Sequence, residues 1–564
     1  MSPEEFLAEF GTLAEAPGGV RKLREMILEL AVRGKLASQI PEDEPAHALV
    51  ERILTERDSL ATRRQQSLNT APFEVPPSWI WTTGTLVFDF ITSGSRGWAQ
   101  YYSDKGPIFL RIGNLDYGTT ALDLASIQRV SPPVAAEGSR TRVQAGDVLI
   151  SITGDIGMVG LVPKGIGEAY INQHIALARP SRHTHPPYIA RAIMAPSNLG
   201  HLQQMQRGIK NSLGLDDIRG LRVPLPPLDE QKRIVAKIDQ LMALCDELEA
   251  KQTQKQEAGA RLTRSALDAL TSAEGPEEFT TAWRRVADNF DVLSKRHDRI
   301  GEFRKAILGL ALHGRLVEQA PEDEDEDEDE DADALLARIS RDRTGNKVRG
   351  GRSTDTDEST QEETERHTLP ESWRWVTVGE IADCVLGKML DKAKHKTGVL
   401  RPYLRNINVR WGAFDLTDLL SMYFKDDELE RYGVRHGDVL ICEGGEPGRS
   451  AVWREPSKTM LIQKAIHRVR LLGGISPEWL VMNLRYDSWT GRLAQYFTGA
   501  TIKHFTGQAL TRYSIRLPPM AEQKRIIAKV DQLMALCDEL ETKLQDAEKG
   551  AERLAEAMTA AMVA

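Results

Sequence analysis

Over residues 526–544 the apolar positions Ile526, Val530, Leu533, Cys537, Leu540 and Leu544 fall at alternating intervals of four and three. The seam continues through Ala547, Ala551, Leu554, Met558 and Ala561. This heptad pattern predicts a long helix packed lengthwise on another. An earlier stretch starts the same way with Ile234, Ile238, Leu241, Cys245 and Leu248, then weakens through Gln252, Lys255 and Gly259. Each stretch, at about 40 residues, makes a rod of roughly 60 Å. Two prolines precede each one, where a helix begins rather than continues. A second helical pattern, LREMILELAVRGKL (23–36), sets Leu23, Met26, Ile27, Leu30 and Ala31 on one face, with Gly34 as a C-terminal cap. Short apolar runs, PIFLRI (107–112), GDVLISI (146–152) and DVLIC (438–442), read as strands separated by Gly/Pro/Asn-rich turns.

These patterns occur twice. LPPLDEQKRIVAKIDQLMALCDELEAK (225–251) and LPPMAEQKRIIAKVDQLMALCDELETK (517–543) share 22 of 27 positions at an offset of 292. Further pairs follow in the same order: residues 23–36 with FRKAILGLALHGRL (303–316), SWIW (78–81) with SWRW (372–375), and FLRIGN (109–114) with YLRNIN (403–408). GDVLI recurs at Gly146 and Gly437, and PEEF at Pro3 and Pro276. The chain is therefore two tandem units, roughly 1–272 and 274–564, each large enough for its own core. In the repeat register Ala564 corresponds to Ser272, which predicts that the two termini meet and close a pseudo-twofold ring. The helical frame is nearly identical in the two copies, whereas the stretches between SWxW and LPP share only landmarks. One task is done twice; another is done two ways.

A formal charge of −9 by itself disfavours a polyanionic partner, but Glu322 to Asp331 is an unbroken run of ten carboxylates, with Asp333 beyond. Without those eleven the balance is −9 + 11 = +2. Residues 76–228 carry 14 Lys+Arg against 10 Asp+Glu, and residues 370–519 carry 22 against 16. Both inserts are mildly basic, and local charge governs contact with phosphates. The four cysteines, Cys245, Cys384, Cys442 and Cys537, form no CxxC or Cys/His cluster, so the sequence predicts reduced, structural thiols and no metal. An acidic N-terminus and the absence of a long apolar run make the cytoplasm the expected location.

No phosphate loop, amino-methyltransferase motif, HExxH or GxSxG occurs. The glycine loops GDIGMVG (154–160) and GGEPGR (444–449) lack a following amphipathic helix and read as turns between strands. Trp79, Trp81, Trp373 and Trp375 alternate at a strand entrance and read as core rather than base-stacking platforms. Two pairs of segments carry the candidate chemistry. IKNSLG (209–214) and IKHFTG (502–507) occupy equivalent places before LPP and offer Lys210, Asn211, Lys503 and His504. FLRIGN and YLRNIN offer Arg111, Asn114, Arg405 and Asn408. Arg reads guanine and Asn reads adenine in the major groove, while Lys mostly meets phosphate. Repeated structural polar groups would give the same recurrence.

The order SWxW, YLRxxN, GDVLI, IK, LPPLxEQxRI, heptad helix and AILxLAxxGxL resembles the specificity subunit of Type I restriction–modification systems over nearly the whole chain. The resemblance implies an α+β protein: two mixed α/β target-recognition domains separated by paired long antiparallel, coiled-coil-like helices. Carried onto this sequence, 1–75 is an N-terminal helical segment and 76–228 the first recognition domain. Residues 229–320 form a central helical region, 321–369 an acidic disordered linker, 370–519 the second recognition domain, and 520–564 the last helix. It further implies a non-catalytic chain that reads a bipartite, asymmetric site in double-stranded DNA. Two methyltransferase subunits, which carry S-adenosylmethionine, would dock on the helices, here through Ile234, Ile238, Leu241, Leu248, Ile526, Val530, Leu533 and Leu540. Restriction/translocase subunits can join the assembly. The chain itself is expected to hold no cofactor. The alternative is a DNA-binding regulator or scaffold working without a methyltransferase. The acidic run and the AILxLAxxGxL segment at the N-terminus depart from the family pattern.

Overall fold

The computed structural model describes residues 13–14, 16–57, 71–94, 96–132, 140–207, 211–318, 331–345, 369–389, 397–455 and 460–563. The chain divides into two compact units, one formed by 1–257 with 546–564, the other by 258–545.

The first unit opens with α1 (Gly19–Val32), whose buried Leu23, Met26, Ile27, Leu30 and Ala31 are the face the periodicity predicts. Gly34 follows it at φ +69°, the left-handed position that ends a helix and that glycine adopts without strain. Helix α2 (Ala46–Arg57) buries Leu49 and Ile53. The α+β insert enters on β1 (Ile80–Thr83) and leaves on β9 (Arg222–Leu225), which pair antiparallel as a ribbon. Between them β2 (Phe88–Ser93), β8 (Ile175–Pro180), β5 (Val148–Ser151) and β6 (Val159–Leu161) form one sheet in that order. A second sheet sets β3 (Tyr102–Leu110) between β4 (Gln128–Val130) and β7 (Ala169–Ile171), the latter parallel to it. Helices α3 (Pro186–Met194) and α4 (Leu215–Arg219) cover the core. After Pro226 and Pro227 the chain enters α5, Leu228–Ser272.

The second unit repeats this topology. Helices α6 (Pro276–Asp288) and α7 (Ile300–Leu312) precede α8 (Ala332–Gly345). The ribbon pairs β10 (Arg374–Thr377) with β21 (Ser514–Leu517). One sheet runs β11 (Ala382–Leu386), β20 (Ile466–Leu471), β17 (Val439–Cys442), β18 (Ser450–Val452). The other runs β15 (Leu420–Phe424), β12 (Val399–Leu404), β19 (Met460–Ile462), β16 (Gly433–Val434), with a small hairpin β13–β14 (Val409–Arg410, Ala413–Phe414) beside it. Helices α9 (Pro477–Thr490) and α10 (Gly507–Arg512) lead to α11, Met520–Val563.

The repeated motifs acquire physical roles. In GDVLI the glycine turns the chain at φ +89° (Gly146) or +86° (Gly437), and the buried aspartate receives a bidentate arginine from the neighbouring strand. These pairs are Arg179–Asp147 and Arg470–Asp438, each at 2.7 and 2.8 Å. In CDELE the acids clamp an earlier helix of the same unit, α1 or α7: Arg24 bonds Asp246 and Glu249 at 2.6 and 2.7 Å, and Arg304 bonds Asp538 and Glu541 at 2.5 and 2.7 Å. Both glycine loops connect antiparallel strands, β5–β6 and β17–β18, in line with the turn reading. The tryptophans are structural: Trp79 and Trp373 are buried, and Trp81 donates its Nε1–H to the carbonyl of Phe73.

Three expectations need correction. Residues 331–345 are not linker: α8 buries Leu335 and Ile339 in the core of the second unit, and Arg343 donates to the carbonyls of Gly379, Glu380 and Ala382. Apolar residues at i and i+4 give this helix a face to bury, which acid counting conceals. Residues 319–330, most of the acidic run, lie outside the described residues. The seam of the last helix drifts, leaving Leu554 58% exposed and Ala555 buried in the core of the first unit. An unsupercoiled helix of 3.6 residues per turn walks off a strict heptad by roughly 20° each repeat. Third, the docking residues Ile234, Ile238, Leu241, Ile526 and Val530 are buried within their own units, and Leu248, Leu533 and Leu540 are half-buried. They hold the helices onto the frame.

The carboxyl-terminal stretch belongs to the same unit as the amino-terminal helix, with Lys22 reaching Glu556 at 4.0 Å. All four cysteines are unpaired thiols. Burial pushes Cys245 and Cys442 up to about 11 and Cys384 to about 12, and raises Cys537 as well. Native protein treated with an alkylating reagent at mildly alkaline pH is therefore expected to label only after denaturation; fast native labelling would contradict this packing.

Candidate nucleic-acid interface

In each unit four loops meet beyond the ends of the central strands, held by the same backbone hydrogen bonds. In the first, Asn172 N donates to Leu110 O (3.0 Å), Ile152 N to His174 O (2.9 Å), Leu213 N to Ile152 O (3.0 Å) and Gly157 N to Ser151 O (3.2 Å). In the second, Gln463 N donates to Leu404 O (3.1 Å), Glu443 N to Ala465 O (2.8 Å), Phe505 N to Glu443 O (2.8 Å) and Gly448 N to Cys442 O (2.9 Å). The frame is shared. The side chains it presents are not.

In the first unit Arg111, Ile112, Gly113, Asn114, Ser126, Thr153, Asn172 and His174 line an open cleft of about 600 Å³. Arg111 has no side-chain hydrogen bond among the described residues and stands at its rim, half-buried. In the second unit Arg405 is tied to Asp418 at 2.7 Å. Asn406 reaches over Gly444 (3.4 Å), Arg449 donates to the carbonyl of Asn406 (2.8 Å), and Ile407 stands 44% exposed. Gly445 sits at φ +81°, the left-handed region that glycine adopts without strain, and a Cβ there would come within 2.9 Å of Asn406 Nδ2, the movable end of that side chain.

The predicted readers fare differently. Asn114 and Asn408 are 3% and 1% exposed. Each amide oxygen accepts from the backbone N–H of Arg111 or Arg405, at 2.8 and 2.9 Å. Each amide nitrogen donates to two carbonyls, those of Asp123 and Ser126 or of Asp415 and Asp418. No edge remains to offer a base, so these two are loop clamps, and their expected role as readers is corrected. Asn408→Ala is expected to cost about 3 kcal/mol of stability, because the Arg405 N–H and the Asp415 carbonyl lose their partner and the Asp418 carbonyl keeps only Arg405. A thermal melt should register that loss while the recognised sequence stays unchanged; an altered sequence preference in a still-stable variant would restore the reading role.

Asn211, Lys503 and His504 are exposed on a connecting turn. Lys210 lies outside the described residues. The expected equivalence of IKNSLG and IKHFTG is off by one. Arg207 pairs with Ser212 across four residues, but Thr498 pairs with His504 across five. Helices α4 and α10 begin after Gly214 and Thr506 respectively, so Lys503 occupies the place of Asn211 and not of Lys210. The second turn carries Ile502 at its tip, 66% exposed. Thr153, Asn172, His174, Asn406 and Arg449 are not among the candidates the sequence offered; the signal available was their position beside short apolar strand runs, at the end of one or just before the next. Among the described residues no group of three His, Cys, Asp or Glu could hold a metal ion.

The family described as "Type I restriction modification DNA specificity domain" matches residues 112–258 and 370–548, more than half of the chain. The chain belongs to this family. The specificity subunit of the Type I restriction enzyme EcoEI from Escherichia coli is 27% identical over 96% of this chain and 93% of its own length. The EcoAI specificity subunit, also from Escherichia coli, is 27% identical over 97% of this chain and 94% of its own. A chain from a solved structure concerned with complex assembly and conformational transition of the type I R-M system covers 87% of this chain and 99% of its own. It is 18% identical, with a TM-score of 0.48. These specificity subunits form a non-catalytic family within Type I restriction–modification complexes. No helix among the described residues is long and apolar enough to cross a membrane.

Proposed function

We propose that residues 76–228 and 370–519 each read one half of a bipartite, asymmetric site in double-stranded DNA, presenting the four-loop ends to the groove. The observation that carries this reading is one loop frame bearing two unlike sets of side chains. Arg111, Thr153, His174 and Asn211 face the first half-site; Asn406, Ile407, Lys503 and His504 face the second. Lysine and arginine contacts to phosphate supply salt-dependent affinity, and side chains at base edges add about 1–3 kcal/mol of discrimination each.

Helices α5 and α11 pair antiparallel and hold the domains at a fixed separation in a pseudo-twofold arrangement. In support, each helix begins in one compact unit and ends in the other. Two methyltransferase subunits, which bring S-adenosylmethionine, dock on the outer helical stripe Lys232, Ala236, Gln240, Ala243, Glu247 and its copy Lys524, Ala528, Gln532, Ala535, Glu539. All ten residues are exposed. Two inward positions have drifted between the copies, Val235 to Ile527 and Ile238 to Val530, and the rest of the seam, such as Ile234 and Leu241, is unchanged; this outer stripe is identical letter for letter. Packing within the chain accounts for the inward identities but places no demand on exposed positions, so the identity of the stripe points to one partner met twice. Restriction/translocase subunits can join the same assembly.

The deciding experiment is selection from a random duplex library by the chain copurified with its methyltransferase. Two dissimilar half-sites separated by a fixed unspecified gap are expected. A single contiguous site, or tight specific binding by a chain that copurifies with nothing, would favour the regulator reading.

A further inference from the structure

The motif LPPxxEQ is identical in the two copies at its prolines, Glu and Gln, and these residues bolt the helix to its domain in both. Trp79 Nε1 donates to Glu230 at 3.0 Å, and Trp373 Nε1 to Glu522 at 2.9 Å. Gln231 donates to Pro226 O (2.9 Å) and accepts from His185 N (2.8 Å). Gln523 donates to Pro518 O (2.9 Å) and accepts from Ser476 N (3.3 Å). All six side chains are at most 6% exposed. A third bond persists although its donor has changed identity. Tyr188 Oη donates to Pro224 O (2.7 Å), and in the equivalent place Trp479 Nε1 donates to Arg516 O (2.6 Å). The inserts have diverged nearly everywhere else, so this geometry is maintained across different chemistry.

A joint at one end of a rod roughly 60 Å long acts as a lever: a tilt of about 10° moves the far end by about 10 Å, some three base-pair steps. We infer that the Trp–Glu–Gln joint is a positioning element that fixes the pitch of each recognition domain on its helix, and with it the gap between half-sites. This rests on the bipartite reading above. Helix length alone then does not set the gap.

The test uses the full chain with its methyltransferase, selecting from a random duplex library. Trp373→Phe and Tyr188→Phe each remove a single donor while keeping an aromatic ring; Tyr188→Phe leaves no carboxylate unpaired and serves if the first variant fails to fold. Both are expected to keep the wild-type half-sites but to accept gaps one base pair longer and shorter within about tenfold of the preferred one, the scale of one lost hydrogen bond. Glu522→Gln, which keeps an oxygen acceptor for Trp373, is expected to retain the single gap. A folded Tyr188→Phe protein with an unchanged single gap, or one with altered half-sites, overturns the inference. Should the wild type itself select a contiguous site, the bipartite reading fails first and the joint has no gap to set.

Discussion

Inserting one heptad into α5 near Glu257, matched by one in α11 near Gln545, is expected to lengthen the gap between half-sites by about three base pairs and leave both half-sites unchanged. Seven residues add about 10 Å of helix in almost two full turns, so the buried face returns to register. About 10 Å corresponds to three base-pair steps of about 3.4 Å. The positions are chosen where each helix passes from one compact unit to the other, so the clamps at Asp246 and Glu249, and at Asp538 and Glu541, are not disturbed. Deleting a heptad should shorten the gap by the same amount, and an insertion of two residues should abolish folding or binding by rotating the far segment about 200° off its face. Methylome sequencing of a strain carrying each variant reads both quantities at once. New base identities at an old gap would refute the proposal that the helices measure distance.

The second large effect concerns partner assembly. Ala243→Arg places a long cation in the middle of an exposed stripe of one helix, and Ala535→Arg does the same in the other. Neither alanine packs in its own core, so each variant should melt like the parent. Each is expected to weaken binding of one methyltransferase subunit about 100-fold, the cost of burying an unpaired charge at the centre of an interface. The single variants should form complexes with one methyltransferase and the double variant none, as read by native mass spectrometry. Equal loss of both subunits from a single variant would argue against two separate, equivalent docking faces.

The duplicated frame was legible because packing imposes periodicity. The heptad start at Ile234 and Ile526, the face of Leu23 to Ala31 and the cap at Gly34 all follow from burial or backbone geometry that a sequence must obey. Helix α8 was hidden by its acidic neighbours, although AxALxxRI recurs at 46–53 and 332–339 and both copies bury the same leucine and isoleucine. The recognition loops were the least legible. Arg111 and Asn114 lie three residues apart and border the same cleft, yet one side chain has no hydrogen bond among the described residues and the other is a satisfied buried amide. Residue type alone could not separate them, since clamp and reader both require hydrogen-bonding side chains. The docking face escaped for a related reason: apolar spacing announces the side a helix hides from water, and the partner meets the other side.

The strands β1 and β9 lie side by side, as do β10 and β21, so the two ends of each insert leave the frame through a single ribbon. Whatever folds between them is a cassette with adjacent ends. On the proposed reading, replacing it would exchange one target while the scaffold, its enzyme contacts and the opposite target persist. A near-identical LPPxxEQKRI stretch follows each cassette, so on this reading a single exchange at the ribbon would carry a whole reader at once, faster than point changes could refine it.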